Sequence, residues 1–300
     1  MAQLITDRDT NFVYFSEWIT TRRKYWPEIK TALDKYSISI DFLPRYSSDK
    51  RPLSRDIWAR DYMPIQLGET KFLGFRYEPD YLMANSKDQN YISDYAQILT
   101  SKNMTASDKT SLVIDGGNMV KCGNCIIMTR KVFDANPTRS EKSIRDELEE
   151  KFGVKIVFIS CDKENETFWV KTDNGQKVNR PLFHADGVVR WVKDDVVIVN
   201  KSGDNYTSKV LKELKDQGLE PELLDYSQKG EYVSVNSWCY LNFLQIGNKI
   251  FVPCYHGKEE EIALKKLESI YIGCEIVPVQ LGGILKDGGG LNCITWNIKK

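Results

Sequence analysis

Five short segments of this sequence combine glycine with acidic, basic, aromatic or sulfur-containing side chains, and they are spread over most of the chain. They read WARDYMP at 58–64, IDGGN at 114–118, HADG at 184–187, SWCYLNF at 237–243 and GGGLNCIT at 288–295. Catalytic and binding residues lie disproportionately on loops that a rigid scaffold positions. We therefore treat the five segments as candidates for one shared site.

The HADG segment offers a base beside an acid. His184 and Asp186 are two positions apart, so both side chains lie on one face if the segment is a strand. Histidine has an ordinary pKa that suits proton transfer near neutral pH. A catalytic pair and an exposed pair on an edge strand fit this motif equally well. The only other histidine in the chain, His256 in CYHGKEEE, is predicted to be a capping or surface residue.

Two further carboxylates are candidates for binding a cation. Asp61 lies beside Arg60 and near Trp58, and a carboxylate next to an aromatic ring suits a planar cation. A structural ion pair between Arg60 and Asp61 explains this segment at least as well. Asp115 follows an apolar strand and precedes two glycines, where a turn exposes the acid or simply reverses the chain.

Cys293 is the cysteine that we predict to be reactive, among seven in the chain. The glycine run that ends at Gly290 lets the backbone approach a ligand closely, and flanking N–H groups favour a thiolate. A buried structural thiol is the alternative. Cys122 and Cys125 have CxxC spacing, but no second CxxC follows, and we expect strand-edge thiols rather than a zinc or redox site. Asn242 either lines the pocket or satisfies buried backbone groups.

A pocket with these side chains has the composition expected for chemistry on a guanidinium group. Two carboxylates would hold opposite N–H edges of the cation while the Cys293 thiolate attacks its carbon. His184 would protonate the departing ammonia and then activate the water that cleaves the S-amidino intermediate. The product would carry a ureido group.

Three other functions use the same side chains. In a metal-dependent hydrolase, the three aspartates and His184 would ligate a divalent cation. In an amidinotransferase, Cys293 would pass the amidino group to an amine instead of water. A protein that only binds an arginine-like ligand would need the carboxylates but neither the thiol nor the imidazole. We expect neither a metal nor a cofactor.

An irregular internal repeat supplies the elements that must position these segments. Helices are predicted over about 18–36, 91–102, 139–152, 206–218 and 258–271. Each helix leads into an apolar strand, and one of the five polar segments follows. Because no low-complexity linker divides the chain, we predict a single α/β domain over residues 1–300.

The charge balance argues against a polyanionic partner. Lys and Arg number 42, and Asp and Glu also number 42, so no global field attracts nucleic acid or an anionic membrane. The N-terminal residues are charged where a signal peptide is apolar, and no run of about 18 apolar residues occurs. We expect a cytoplasmic protein with a small-molecule substrate and no nucleic-acid or membrane partner. The sequence is compatible with a homo-oligomer and does not determine the oligomeric state.

In their order, the five segments resemble those of the agmatine deiminases and the related bacterial peptidylarginine deiminases, in the guanidine-modifying pentein superfamily. This resemblance implies a five-bladed α/β propeller with pseudo-fivefold ββαβ-like repeats. It also implies that Cys293 is the nucleophile, His184 the acid and base, and Asp61 and Asp186 the guanidinium clamps. Asp115 stands where the family often has Glu, and it is implied to orient His184 or to touch the guanidinium.

The substrate is less well determined than the reaction. We predict substrate contacts from Trp58, Asn242 and Gly290, in addition to the two clamps. Asn292 precedes the predicted nucleophile where agmatine deiminases commonly have His. Agmatine is favoured by the resemblance, with free arginine and peptidyl arginine as alternatives.

Overall fold

The computed structural model describes residues 4–83, 88–161, 167–171, 177–181, 184–201, 204–226 and 237–300. Within these ranges the strands form five three-stranded sheets and one two-stranded hairpin. The strands are β1 Phe12–Ser16, β2 Ser39–Leu43, β3 Ile65–Gln66, β4 Phe72–Arg76, β5 Asp108–Val113, β6 Val120–Cys122, β7 Cys125–Thr129, β8 Lys155–Ile159, β9 Thr167–Lys171, β10 Lys177–Pro181, β11 Val189–Lys193, β12 Val196–Asn200, β13 Glu220–Leu224, β14 Leu244–Ile246, β15 Lys249–Cys254, β16 Glu275–Gln280 and β17 Thr295–Ile298.

The five larger sheets repeat one topology. Their strand orders are β17-β1-β2, β3-β4-β5, β6-β7-β8, β11-β12-β13 and β14-β15-β16. In each sheet the first strand is antiparallel to the second, and the third is parallel to the second. We call the first strand of each sheet its inner strand. The α/β class and the predicted five-bladed ββαβ propeller are confirmed.

Parallel neighbours need a crossover, and at least one helix connects the second strand of each sheet to the third. Ser140 begins one such helix by accepting the Ser143 N–H, and Gly153, with φ of 68°, ends it in the left-handed conformation. The helices are α1 Trp26–Lys35, α2 Ala59–Tyr62, α3 Asp80–Met83, α4 Tyr95–Ser101, α5 Lys131–Asp134, α6 Glu141–Phe152, α7 Asp204–Asp216, α8 Glu260–Ile270 and α9 Ile284–Asp287.

The two ends of the described chain meet in one sheet. β1 pairs with β17 with Phe12 opposite Ile298, and it pairs with β2 on its other side. The sheet β17-β1-β2 is therefore assembled from residues about 285 positions apart in sequence. This arrangement closes the circle of sheets and brings Cys293, just before β17, beside segments from the other four.

Apolar side chains fill the space between neighbouring sheets and under the crossover helices. One cluster joins Tyr14 of β1 and Trp296 of β17 to Leu73 of the next sheet, and Ile144 of α6 extends it. Burial of these faces removes large apolar areas from water, which is the main force that holds the blades together. No helix in the described ranges is both long enough and apolar enough to span a bilayer.

The strand geometry considered for HADG is not found. HADG is not a strand, because Ala185–Gly187 forms a 3-10 turn after His184 and β11 begins only at Val189. The Val188 N–H donates to the Ala185 carbonyl and closes this turn. His184 and Asp186 therefore reach the same site through a turn and not through the alternation of a pleated strand.

Candidate active site

Four of the five polar segments end just before an inner strand, and the fifth runs into the first residue of β17. Asp61 precedes β3, Asp115 precedes β6, His184 precedes β11, Asn242 precedes β14 and Cys293 precedes β17. Inner strands that surround one axis bring their starting ends together. The structure therefore gathers residues that lie far apart in sequence, as expected for a site built from loops on a repeating scaffold.

His184 lies between two carboxylates. Its Nε2 is 3.2 Å from Asp115 Oδ2, and its Nδ1 is 3.6 Å from Asp61 Oδ1. Lys131, at the start of α5, forms an ion pair with Asp115 at 2.5 Å. The side chain of His184 is 26% exposed, whereas that of Asp115 is 7% exposed. The imidazole can therefore meet a ligand while the acid behind it stays covered.

Gly117 provides the space in which these side chains meet. Its N–H donates to Asp61 Oδ1 at 2.9 Å. A Cβ at this position would lie 2.7 Å from Asp61 Oδ1, 2.9 Å from His184 Nδ1 and 3.2 Å from Asp186 Oδ2. Since these distances are shorter than van der Waals contact, only glycine fits here without displacing all three.

Cys293 faces Asp186 and Asn242. Its Sγ is 3.8 Å from Asp186 Oδ2 and 3.3 Å from Asn242 Oδ1. The Asn242 side-chain carbonyl also accepts the N–H groups of Asn292 and Cys293, at 3.0 and 3.3 Å. A Cβ on Gly290 would lie 2.4 Å from that same oxygen. Asn242 and Gly290 thus shape the loop that presents the thiol.

Charge and burial set the protonation of the site. Burial, with smaller contributions from Asp115 and Asp186, raises the pKa of Asp61 to about 7, although His184 opposes this shift. Burial lowers the pKa of His184, but Asp61 and Asp115 more than compensate and bring it to about 9. Burial raises the pKa of Asp115, yet Lys131 and His184 overcome this effect and hold it well below its usual range. At neutral pH the imidazole is therefore protonated.

The thiol is also protonated in the free site. Burial raises the pKa of Cys293 well above its ordinary value, and the charges of Asp186 and Asp61 raise it further. A cation placed between these two aspartates would remove their repulsion of a thiolate. The site is therefore arranged to favour ionisation of the thiol when a positively charged ligand is bound.

A polar layer beneath the site was not predicted from the sequence. Arg60 does not pair with Asp61, so the structural pairing considered for that segment is wrong. It forms a hydrogen bond with Asn297 and lies 4.0 Å from Asp7, because its side chain points away from the carboxylate that follows it. Its backbone N–H donates to the Cys293 carbonyl at 3.1 Å. Arg190 pairs with the same acid, Asp7, at 3.0 Å.

Asn118, the last residue of IDGGN, ties two segments together. Its Oδ1 accepts the Ala185 N–H at 3.2 Å and the Thr129 N–H at 2.9 Å. This side chain fixes the backbone next to His184. The sequence does carry one signal for the polar layer beneath the site. Inner strands have a polar residue among apolar ones, as at Lys121, Arg190, Gln245 and Asn297.

The remaining residues considered from the sequence lie beside the Cys293 loop or away from the site. Trp58 packs on the backbone of Gly289, where a Cβ would lie 2.2 Å from its ring, and it therefore borders the Cys293 loop. His256 is exposed at the start of the last crossover, and its N–H donates to Glu260. Cys122 and Cys125 are buried free thiols that face each other across the β6–β7 turn.

A metal centre has no support from the geometry of the side chains. In the described ranges, no three His, Cys, Asp or Glu side chains are arranged to hold one ion. Asp115 is already paired with Lys131, whose ammonium group would repel a metal cation.

The sequence model of one family, Porphyromonas-type peptidyl-arginine deiminase, matches residues 51–298. A Mycoplasma capricolum protein named "Putative agmatine deiminase" is 26% identical over 214 residues, which are 62% of this chain and 57% of the relative. A Shewanella baltica protein of the same name is 41% identical over 59 residues, which are 20% of this chain and 16% of the relative. The chain thus aligns with less than two thirds of these relatives' length.

Solved structures share the fold at low sequence identity. The C. jejuni agmatine deiminase has a TM-score of 0.73 at 18% identity, covering 99% of this chain and 96% of its own. The Enterococcus faecalis agmatine deiminase has a TM-score of 0.71 at 14% identity, covering 100% and 96%. DDAH from Pseudomonas aeruginosa has a TM-score of 0.56 at 9% identity, covering 96% and 99%.

Proposed function

This chain belongs to the Porphyromonas-type peptidyl-arginine deiminase family, and we propose that it hydrolyses a guanidinium group with Cys293 as the nucleophile. One observation carries the proposal. Cys293, Asp186, Asp61 and His184 come from three different segments, and the last three converge on the single glycine Gly117. This arrangement combines a cation site with a thiol and a protonated imidazole.

Binding comes first in the proposed reaction. Asp61 and Asp186 hold the guanidinium by its N–H groups, which fixes its carbon beside Cys293 Sγ. The bound positive charge offsets the two carboxylates that raise the pKa of the thiol. The thiol then loses its proton to solvent, and the thiolate forms a C–S bond with the guanidinium carbon.

His184 moves the protons in the two following steps. Its imidazolium donates a proton to the departing nitrogen, the C–N bond breaks and ammonia leaves, which produces an S-amidino intermediate. The neutral imidazole then takes a proton from water as the water oxygen attacks the same carbon. Breakage of the C–S bond restores the thiolate, and the proton left on the attacking oxygen passes to solvent as the ureido product leaves. Asp115, held by Lys131, keeps the imidazole oriented throughout.

Agmatine is the substrate that we propose, because the relatives and several structural neighbours carry that activity in their names. Free arginine and peptidyl arginine present the same reacting group and are the competing substrates. We propose no metal and no cofactor, because the thiol and the imidazole supply the nucleophile and the proton transfers.

The test is an ammonia-release assay with agmatine, arginine and an arginine-containing peptide. We expect release from at least one substrate, and we expect Cys293→Ala to abolish it. Equal amounts of ureido product and ammonia identify a hydrolase, whereas transfer to an added amine identifies an amidinotransferase. Activity that survives in Cys293→Ala would overturn the thiol mechanism. An active site that binds agmatine and releases no ammonia would overturn the hydrolase.

A further inference from the structure

Asn292, the residue before the proposed nucleophile, has hydrogen bonds at both its backbone N–H and its backbone carbonyl. Its N–H donates to the Asn242 side chain, and its carbonyl accepts hydrogen bonds from Arg60 Nε at 3.4 Å and from the Thr295 hydroxyl at 3.0 Å. Only 2% of Asn292 is exposed. The direction of its side chain is therefore set by the loop and not by solvent.

The side-chain amide of Asn292 acts on Asp186. Its Nδ2 donates to Asp186 Oδ2 at 2.7 Å. The opposite orientation of the amide would place a carbonyl oxygen against a carboxylate oxygen, which electrostatics disfavours. The contact with Asp186 therefore fixes which atom of Asn292 is the donor and which is the acceptor.

The acceptor atom is left without a partner. Asn292 Oδ1 is buried, and no group in the described part of the chain donates a hydrogen bond to it. A buried carbonyl without a donor costs free energy, and such atoms are uncommon in native proteins. It is covalently linked to the amide that touches Asp186, so it lies beside the carboxylate that we propose as a guanidinium clamp.

The two clamps each have one carboxylate oxygen occupied. Asp61 Oδ1 accepts the Gly117 N–H, and Asp186 Oδ2 accepts Asn292 Nδ2. Within the described residues, no hydrogen bond reaches the second oxygen of either acid. A monosubstituted guanidinium carries five N–H donors. Two carboxylate oxygens leave several of these donors unpaired, and a third acceptor is needed close to Asp186.

Resting on the proposed function, we propose that Asn292 binds the guanidinium group and positions its clamp Asp186. Its Nδ2 holds Asp186 in the orientation that binds the cation. Its Oδ1 accepts an N–H of the same cation. One neutral amide thus extends the carboxylate clamp without adding a third negative charge beside Cys293.

The experiment measures binding where no turnover occurs. The parent is Cys293→Ser, and calorimetry gives its Kd for agmatine. Asn292→Leu, which has nearly the same shape without the polar atoms, is expected to raise this Kd about 10- to 100-fold, the range for loss of a hydrogen bond to a charged group. Asn292→His is expected to stay within about 10-fold of the parent, because a neutral imidazole offers one donor and one acceptor.

Asn124→Leu is the matched control. Asn124 Nδ2 also donates to a carboxylate, Asp195 Oδ1 at 3.2 Å, but this pair is exposed and belongs to a distant hairpin turn. The Kd of the Asn124→Leu variant for agmatine should equal that of the parent. Thermal unfolding verifies that each variant folds, and Asn292→Ala replaces the leucine variant if that one does not fold.

The outcomes separate the two proposals. If the parent binds agmatine and the folded Leu and Ala variants bind it equally well, the role of Asn292 is overturned while the proposed function stands. If Asn292→His binds as weakly as Asn292→Leu, the pairing of one donor with one acceptor is overturned. If the parent binds no guanidine and the wild-type protein releases no ammonia, both proposals are overturned.

Discussion

Gly117→Ala should disable the site without removing any reactive group. The added methyl would lie 2.7 Å from Asp61 Oδ1, 2.9 Å from His184 Nδ1 and 3.2 Å from Asp186 Oδ2. To reach ordinary contact near 3.4 Å, the Asp61 carboxylate must move by about 0.7 Å and the imidazole by about 0.5 Å. The hydrogen bond from the residue 117 N–H to Asp61 would be distorted by the same movement.

The expected loss follows from the sensitivity of catalysis to geometry. A displacement of about 1 Å can cost about 100-fold in rate, so we expect kcat/KM for ammonia release to fall about 30- to 300-fold. Overpacking of one methyl typically costs about 1–3 kcal/mol of folding free energy. The variant should therefore still fold, and its circular dichroism spectrum should match that of the wild type.

Gly123→Ala is the control. Gly123 lies in the β6–β7 turn, in the same sheet that follows Gly117, and its added methyl would meet Trp191 at an unstrained 3.6 Å. It should retain full activity. If Gly117→Ala folds and keeps the kcat/KM of the wild type, then Asp61, His184 and Asp186 do not converge at Gly117 during catalysis. The reaction scheme would then lose its structural basis.

Four further outcomes are expected. In pH profiles, kcat/KM should rise through about 7 as Asp61 ionises to hold the cation, and fall above about 9 as His184 loses its proton; a flat profile would contradict these roles. Lys131→Met should move the basic limb to higher pH, because Lys131 lowers the pKa of His184; an unmoved limb would count against this coupling. Asp7→Asn should reduce the free energy of unfolding by about 3–5 kcal/mol in denaturant titrations, because it removes the acid that pairs with the buried cations Arg60 and Arg190. An unchanged free energy of unfolding would show that these ion pairs do not stabilise the fold. Activity should persist in a strong chelator, whereas a metal hydrolase would lose it.

The repeat and its helices were accessible from the sequence because each depends on local pattern. The run Glu141–Phe152 has an acceptor before it and a glycine after it, and the structure begins and ends α6 at these signals. The order of the five segments predicted that Asp61, Asp115, His184 and Cys293 would share a site, and the structure places each before an inner strand. Their chemical roles are still predictions.

Contacts that span the molecule were not accessible. The sequence offers Asp61 as the neighbouring acid for Arg60, because only nearby residues can be paired from sequence alone. In the structure a peptide turn in α2 sends the two side chains in different directions, and the guanidinium reaches Asn297, 237 positions away. Lys131 was missed for the same reason, since nothing local to α5 indicates that its amine meets Asp115.

The case of Asp7 shows how charge compensation links distant parts of the fold to the site. Asp7 lies outside the matched range 51–298, yet it pairs with both Arg60 and Arg190. Burial raises its pKa, but Arg60, Arg190 and Lys121 overcome this effect and lower it to about 2, so the carboxylate stays charged at neutral pH. Because the backbone of Arg60 donates to the Cys293 carbonyl, we expect an unbalanced Arg60 charge to disturb the loop that carries the proposed nucleophile. The loop that carries Cys293 is therefore linked, through Arg60, to an ion pair whose acid comes from the N-terminal segment.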